Sequence, residues 1–266
     1  NTVQLGFINN LVISAGKYSK IELRNILNQN SNKITTLREG QNFYGGNYER
    51  NYELNYRTRF NYSLQLEGKH EIEKYVINWL LGYGYALQNN PDIRRVSATL
   101  SGDRNLYEDE FNIGINFNAN PTMLGRLFLK NNENTYLTSV GLERKMNIFD
   151  KTVTFKTGYY FEDKKRNFSQ RNIGYVYANI FNFNWDLSKV PAGKAFSDEY
   201  FNAIQNLFND SNLGTASGLI ISENTNEQDS YKAGNVLHAA FFSIDMPIMK
   251  KINFYGGIRY EDNLQT

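Results

Sequence analysis

Alternation of apolar and polar residues is the strongest pattern in the chain, and it is clearest over residues 51–88. Between residues 52 and 66 every second residue is apolar or aromatic with one threonine among them, namely Tyr52, Leu54, Tyr56, Thr58, Phe60, Tyr62, Leu64 and Leu66. The residues between them are polar or charged, so the pattern predicts a strand with one apolar and one polar face. The alternation restarts at residues 77–88 and predicts an antiparallel hairpin. Each arm is longer than a typical strand, which has about 5 to 6 residues. In a membrane barrel, a tilted strand crosses the bilayer with about 9 to 11 residues, and each arm is long enough to do so.

Six further segments alternate in the same way, which gives eight predicted antiparallel strands. They cover residues 3–14, 21–28, 52–67, 77–88, 136–142, 153–162, 231–245 and 252–261. Both faces of segment 231–245 look apolar, so its lipid and lumen sides are not assigned. Long loops are predicted at residues 29–49, 89–134 and 163–229, and they alternate with short turns. Bacterial outer-membrane barrels alternate short periplasmic turns with long extracellular loops. We therefore predict an all-β, antiparallel transmembrane barrel in the bacterial outer membrane.

One helix is predicted inside the third long loop. Ser197 can cap its first turn, and Asp198 and Glu199 suit the positive N-terminus of a helix. The apolar side chains that follow fall on one face, namely Tyr200, Phe201, Ile204, Leu207 and Phe208. Packing of this helix onto neighbouring loops is favoured over direct contact with a ligand, and both alternatives stay open.

Composition narrows the functional classes. Aromatic residues make up 15% of the chain, mostly as 19 Tyr and 18 Phe, and tyrosine suits a membrane interface. The mean hydropathy of −0.57 and the absence of a long apolar run exclude a transmembrane helix. A net charge of +2 gives no reason to expect a nucleic-acid partner. With no cysteine, two histidines and no catalytic motif, we predict no catalytic residue, no metal site, no cofactor and no enzymatic activity.

Several short motifs resemble the barrel of TonB-dependent outer-membrane receptors of Bacteroidetes, of the type preceded by a carboxypeptidase-regulatory-like domain. The motifs are Asn9-Asn10, Ile21-Glu22-Leu23-Arg24-Asn25, Thr36-Leu37-Arg38-Glu39-Gly40, Tyr52-Glu53-Leu54, Tyr56-Arg57, Gly125-Arg126-Leu127-Phe128, Ser230-Tyr231-Lys232-Ala233, Asp245-Met246-Pro247 and Gly256-Gly257-Ile258-Arg259-Tyr260-Glu261. Each motif is loose, and their order and spacing over nearly the whole chain carry the resemblance.

The resemblance implies an active importer. Its barrel would have about 22 strands and a plug domain on which TonB-ExbB-ExbD acts, so residues 1–266 are expected to be an internal barrel segment without the plug and the closing strands. The implied partners are outer-membrane lipid and a small-molecule, glycan or peptide substrate, and a surface lipoprotein partner stays open. The family has no shared catalytic residues to carry over.

The site residues follow from the loops and from the polar face. Side chains expected in the substrate vestibule are Arg38, Tyr44, Arg94, Arg95, Arg126, Trp185, Tyr200 and Phe201. Side chains expected to face the lumen are Arg57, Arg59, Asn61, Arg259 and Glu261. Two alternatives remain, namely a small barrel that acts as a structural anchor or adhesin, and a soluble, aromatic-rich glycan-binding protein.

Overall fold

One antiparallel sheet of eleven strands makes up most of the protein in the computed structural model, which describes residues 1–101, 109–148, 151–191, 196–249 and 252–266. The strands are β1 (Thr2–Ser14), β2 (Ser19–Asn42), β3 (Asn47–Ile72), β4 (Tyr75–Ser101), β5 (Phe111–Ile113), β6 (Leu124–Ile148), β7 (Lys151–Tyr177), β8 (Lys189–Val190), β9 (Leu219–Glu223), β10 (Tyr231–Met249) and β11 (Ile252–Gln265). One α-helix, α1, covers Asp198–Leu207. The prediction of an all-β, antiparallel architecture is confirmed.

The eight long strands form an open sheet in the order β1-β2-β3-β4-β6-β7-β10-β11. Each long strand therefore pairs with the next long strand along the chain. The three short strands lie off this path, with β5 beside β4 and β8, and β9 beside β7. Within the described residues, no pairing joins the two edge strands β1 and β11. None of the helices in the described parts of the chain is long and apolar enough to cross a membrane.

The prediction of a long loop at residues 29–49 is wrong. Strand β2 continues to Asn42 and β3 begins at Asn47, so only residues 43–46 form the turn. After residue 29 both faces of β2 are mainly polar, with Ile34 on one face and Leu37 on the other, so the apolar period that identifies a strand stops there. The cross-strand hydrogen bonds continue without it, because a backbone ladder does not depend on apolar side chains. The predicted strict alternation of short and long connections therefore fails at the first long connection.

The other two predicted loops are shorter than expected but remain the long connections of the chain. Strand β4 extends to Ser101 and β6 begins at Leu124, while β7 extends to Tyr177 and β10 begins at Tyr231. Parts of these connections, residues 102–108 and 192–195, lie outside the described residues. Short turns are predicted at residues 15–20, 68–74, 147–151 and 247–251. The first two are observed but shorter, at residues 15–18 and 73–74, because β2 begins at Ser19 and β3 continues to Ile72. The other two include residues 149–150 and 250–251, which also lie outside the described residues.

The register gives the sheet an apolar face and a polar face. Residues directly opposite each other on antiparallel strands lie on the same face, and the rows Trp79–Val140–Tyr159–Ala240 and Ile77–Leu142–Thr157–Phe242 cross four strands. We call this the apolar face, and it includes the predicted apolar residues of β3. The same pairings assign β10, whose faces the sequence leaves open. Ala240, Phe242 and Ile244 lie on the apolar face, and Ala239, Phe241 and Ser243 lie on the polar face.

Burial differs between the two ends of the apolar face. Near the short turns most of its side chains are half-buried or exposed, for example Leu81 (48%), Val140 (48%) and Ile258 (77%), although Val153 is buried. Near the long connections the same face carries the only extended cluster of buried apolar residues in the described structure, which includes Val96, Leu100, Phe111, Leu124, Val190, Tyr200, Leu207 and Leu219. We call this cluster the loop-end core. It packs β5, β8 and α1 onto the ends of β3 and β4.

Candidate functional site

Strand alternation separates the predicted vestibule residues onto two faces. Arg94 lies opposite Leu54 and Arg126, which places it on the apolar face. Its chain neighbour Arg95 lies opposite Glu53 and Gly125 on the polar face. The sequence treats these arginines as one group, and the structure brings them into two separate sites.

The polar face holds the first of these sites. The Nε of Arg95 donates to Oε2 of Glu53 at 2.6 Å, and the same carboxylate accepts from Nδ2 of Asn55 at 3.2 Å. Together with Arg38 and Thr122, Arg95 and Glu53 line a shallow pocket of about 330 Å³. This pocket offers two guanidinium groups, one carboxylate, the hydroxyls of Thr36 and Thr122 and the amide of Asn51 to a polar ligand.

The residues predicted to face the lumen all lie on the polar face. Arg57, Arg59 and Asn61 are on β3, where Nε of Arg59 donates to Oε1 of Gln88 at 3.1 Å. Arg259 and Glu261 form an ion pair on β11, and both side chains are half exposed. The structure therefore groups these five residues on one surface.

Near the short turns the polar face is concave. A cavity of about 530 Å³ is lined by side chains of several strands, among them Lys20, Glu22, Glu67, Lys69, Ser139, Tyr160 and Arg259. Because β2 and β11 are at nearly opposite ends of the strand order, the sheet must curve toward this face. Arg24 bridges two of the carboxylates, with Nε at 2.7 Å from Glu22 and Nη2 at 2.8 Å from Glu67.

A cleft on the apolar face, between α1 and the sheet, is the second site. The helix forms as the sequence predicts, since the Ser197 Oγ accepts from the backbone N–H of Tyr200. Two ring contacts hold it on the strands, Phe201 on Tyr52 with centroids 5.3 Å apart and Phe208 on Tyr175 with centroids 4.8 Å apart. The space between them is a cleft of about 740 Å³, lined by Leu54, Val96, Ile204, Gln205, Leu213, Arg94 and Arg126.

Asp92 organises the two arginines of this cleft. Arg126 donates from Nε and Nη2 to the two carboxylate oxygens, both at 2.8 Å, and Nε of Arg94 donates to Oδ2 at 2.7 Å. Burial alone would raise the pKa of Asp92, but the hydrogen bonds from Arg126 and Arg94 outweigh it and lower the pKa. Two cations on one ionised carboxylate leave a net positive charge, and the half-exposed Arg94 presents it to the cleft.

Three residues predicted for the vestibule lie outside both sites. Tyr200 is fully buried in the loop-end core, where burial raises the pKa of its hydroxyl to about 12. It is therefore a core residue that no ligand reaches, which corrects the prediction. Trp185 packs on Phe183 with ring centroids 5.0 Å apart, away from the cleft. Tyr44 is fully exposed in the turn between β2 and β3.

Sequence reasoning missed Asp92 and Arg50. Asp92 follows Pro91 at a register shift of β4 between Asn90 and Ile93, and a proline within a strand pattern is a signal for such a bulge. Arg50 interrupts the aromatic residues of the apolar face of β3. It is 1% exposed, its guanidinium carbon lies 4.0 Å from the centroid of the Phe111 ring, and Nε donates to Glu39 at 2.7 Å.

Among the described residues, no group of three or more His, Asp and Glu side chains could hold a metal ion. No protein-family model matches the chain, and neither a curated protein nor a solved structure does.

Proposed function

We propose that the chain forms part of the wall of an outer-membrane TonB-dependent receptor, with the apolar face against lipid and the polar face lining the interior. The main support for this proposal is the burial pattern of the long strands, in which apolar side chains are exposed and charged side chains line a cavity. Leu81, Val140 and Ile258 are exposed, whereas ionised side chains gather on the concave polar face. In water such exposure of apolar surface is unfavourable, and in a membrane barrel it is the expected arrangement.

The length of the apolar segment and its aromatic margin support the same assignment. On β4 the apolar face runs from Tyr75 to Leu87 without a charged residue, enough for the about 9 to 11 residues that cross the hydrocarbon. The rings of Tyr83 and Tyr136 lie 5.3 Å apart, and the Tyr83 hydroxyl donates to Asn134 at 2.9 Å. We call the margin formed by Tyr62, Tyr83 and Tyr136 the tyrosine belt. Tyrosines are enriched where barrels meet the lipid headgroups.

A barrel larger than eight strands is favoured over a small closed one. The edge strands β1 and β11 expose apolar side chains such as Phe7 and Tyr260, and their outer backbone groups are free to pair with further strands. A small anchor or adhesin barrel of eight strands would need β1 to pair with β11. The proposed parent barrel has about 22 strands.

The polar side chains that line the proposed interior support a transport function. Arginines, carboxylates and amides along this face suit a polar solute, whether a small molecule, a glycan or a peptide, and the pocket at Arg38 and Arg95 is our candidate for substrate contact. The cleft with Arg94 and Arg126 lies on the other face of the same wall, so it is a candidate for a surface lipoprotein partner. Energy would come from TonB-ExbB-ExbD through a plug domain, and no nucleic acid is involved.

Labelling on intact cells tests the orientation. Because the chain has no cysteine, single cysteines can be introduced into the full-length protein at Gly45 and Asp210, at the long-connection end, and at Lys17 and Glu71, at the short-turn end. An impermeant maleimide should label only the first pair. Labelling of the second pair alone would show that the orientation is the reverse of the proposed one. Labelling of all four positions would contradict a membrane wall.

Uptake by a strain that lacks the gene tests transport. Siderophores, oligosaccharides and oligopeptides would be offered in labelled form, and uptake of one class should be lost. The same uptake in the parent strain should stop when a protonophore collapses the inner-membrane gradient. Unchanged uptake of all three classes would contradict the importer and leave an anchor or adhesin as the better function.

A further inference from the structure

Four strands carry a lysine on the apolar face just beyond its apolar segment. These residues are Lys33 on β2, Lys130 on β6, Lys165 on β7 and Lys232 on β10, and all four are exposed. We call them the lysine belt. The register places Lys165 in the same row as Tyr85, while Lys232 and Lys130 lie one and two rows further from the short turns. The belt therefore borders the tyrosine belt on the side of the long connections.

The charge of the lysine belt is largely uncompensated. Lys165 pairs with Asp163 at 2.9 Å, and no ion pair of the described residues includes Lys33, Lys130 or Lys232. The residues beside them in the register are mostly amides and hydroxyls, namely Asn89, Asn132, Asn134, Asn167 and Ser169. Such neighbours add hydrogen-bond donors for an anion, and Asp163 is the one carboxylate that pairs with a belt lysine among the described residues.

Cations on the polar face of β7 behave differently. Arg166 pairs with Glu133 at 2.7 Å, Lys164 with Glu162 at 2.7 Å and Lys156 with Glu143 at 3.2 Å. These three polar-face cations are each neutralised by a carboxylate, whereas only Lys165 among the four belt lysines has an ion pair. Neutralised cations suit an interior wall, whereas a row of mostly unpaired lysines beside a tyrosine belt is placed to meet an external anion.

We infer that the lysine belt binds the phosphate groups of lipid headgroups in the leaflet that surrounds the barrel. This inference rests on the proposed function, because it requires the apolar face to contact lipid. Lys130, Lys165 and Lys232 are on neighbouring strands about 4.8 Å apart, so their flexible side chains can converge on one headgroup. Amphipathic lysines keep their stems on apolar surface and extend the ammonium group to the headgroup level.

A binding measurement with matched lipids tests the inference. The full-length protein in neutral detergent would be titrated with a bisphosphorylated glucosamine glycolipid and with the same lipid after phosphatase treatment. The phosphorylated form should bind at least tenfold more tightly. Each lysine changed to glutamine should weaken binding about fivefold, and the triple variant Lys130→Gln, Lys165→Gln, Lys232→Gln about a hundredfold.

A second triple variant controls for net charge. Lys69→Gln, Lys156→Gln and Lys164→Gln remove the same charge from the polar face and should leave lipid binding unchanged. Equal loss in both variants, or equal binding of the two lipids, would overturn the inference. Complete displacement of the lipid by millimolar inorganic phosphate would also overturn the inference, because the lysines would then bind a free anion as well as a lipid headgroup. Failure of the wild-type protein to float with lipid vesicles would instead contradict the proposed function.

Discussion

The two ends of the apolar face have the same strand alternation and opposite surroundings. Toward the short turns, Leu81 and Val140 are exposed and no layer of the described chain covers them. Toward the long connections, Leu100 of β4 and Phe111 of β5 are buried in the loop-end core, to which β8 and α1 also contribute. The proposed membrane location would place the first end in an apolar solvent, whereas the second end carries its own core as a water-soluble protein does. Under this proposal a single strand passes from one solvent to another while its side-chain period stays unchanged.

Arg50 is the residue on which the loop-end core depends most. Its side chain is 1% exposed, stacks on Phe111 and donates to Glu39 and to the carbonyl of Pro191. Hydrogen bonds from a charged group contribute about 1.5 to 3 kcal/mol, and the carboxylate that remains, Glu39, is 37% exposed and can be hydrated. We expect Arg50→Ala to lower the free energy of opening of α1 and β5 by about 1.5 to 3 kcal/mol. Hydrogen exchange of the full-length protein measures it.

Arg59→Ala is the matched control for this variant. Arg59 is exposed on the polar face of the same strand and donates to Gln88, so its loss should change the free energy of opening by less than about 0.5 kcal/mol. Membrane insertion should survive both substitutions. If Arg50→Ala abolished insertion, the two ends of the sheet would not be separate units.

Substitutions at Leu66 and Gln65 test the end that we propose to face lipid. They are neighbours on β3, with Leu66 opposite Leu81 on the apolar face and Gln65 opposite Gly82 on the polar face. A lysine near the midplane of the lipid face costs about 2 to 4 kcal/mol. Leu66→Lys should lower the free energy of unfolding in lipid vesicles by this amount, and Gln65→Lys by much less. Equal losses would remove the distinction between the faces.

Acid should weaken the packing of α1 at the cleft, and this effect should be smaller than the effects of Arg50→Ala and Leu66→Lys. Because the pKa of Asp92 is lower in the folded protein than in the unfolded chain, its contribution is complete above the unfolded value of about 3.9 and disappears as the pH falls through the folded value. The mobility of a spin label at Gln205 should therefore rise below about pH 4, and in Asp92→Asn it should be raised at neutral pH as well. If the mobility of the label in the wild-type protein did not change with pH, Asp92 would not contribute to the packing of α1.

The sequence predicts the features that are local. The helix starts at Asp198 after the Ser197 cap as expected and ends at Leu207, one residue before the prediction, because capping and amphipathic period involve neighbours in the chain. The faces of β3 follow from alternation for the same reason. Residues 29–42 give no such signal, since both faces of β2 are mainly polar there and Ile34 and Leu37 do not continue the period of two, and only pairing with β3 reveals the strand.

The sites depend on distant pairings and were predicted only in part. Asp92 and Arg126 are separated by 34 residues, and no local pattern indicates that they meet. Arg94 and Arg95 look equivalent in the sequence, and the register alone assigns them to opposite faces. Tyr200 was misassigned because an aromatic residue on an amphipathic helix suits either a ligand or a core.

Accessibility along β4 tests the central claim most directly. In the full-length protein reconstituted into vesicles, spin labels would be attached one at a time at residues 77–85. Lipid-soluble oxygen should broaden the labels at Ile77, Trp79, Leu81, Tyr83 and Tyr85, and a water-soluble nickel complex should broaden those at Asn78, Leu80, Gly82 and Gly84. A period of two along β4 is therefore the expected result. Equal access of the nickel complex to all nine positions would contradict it, because both faces of the sheet would then lie in water.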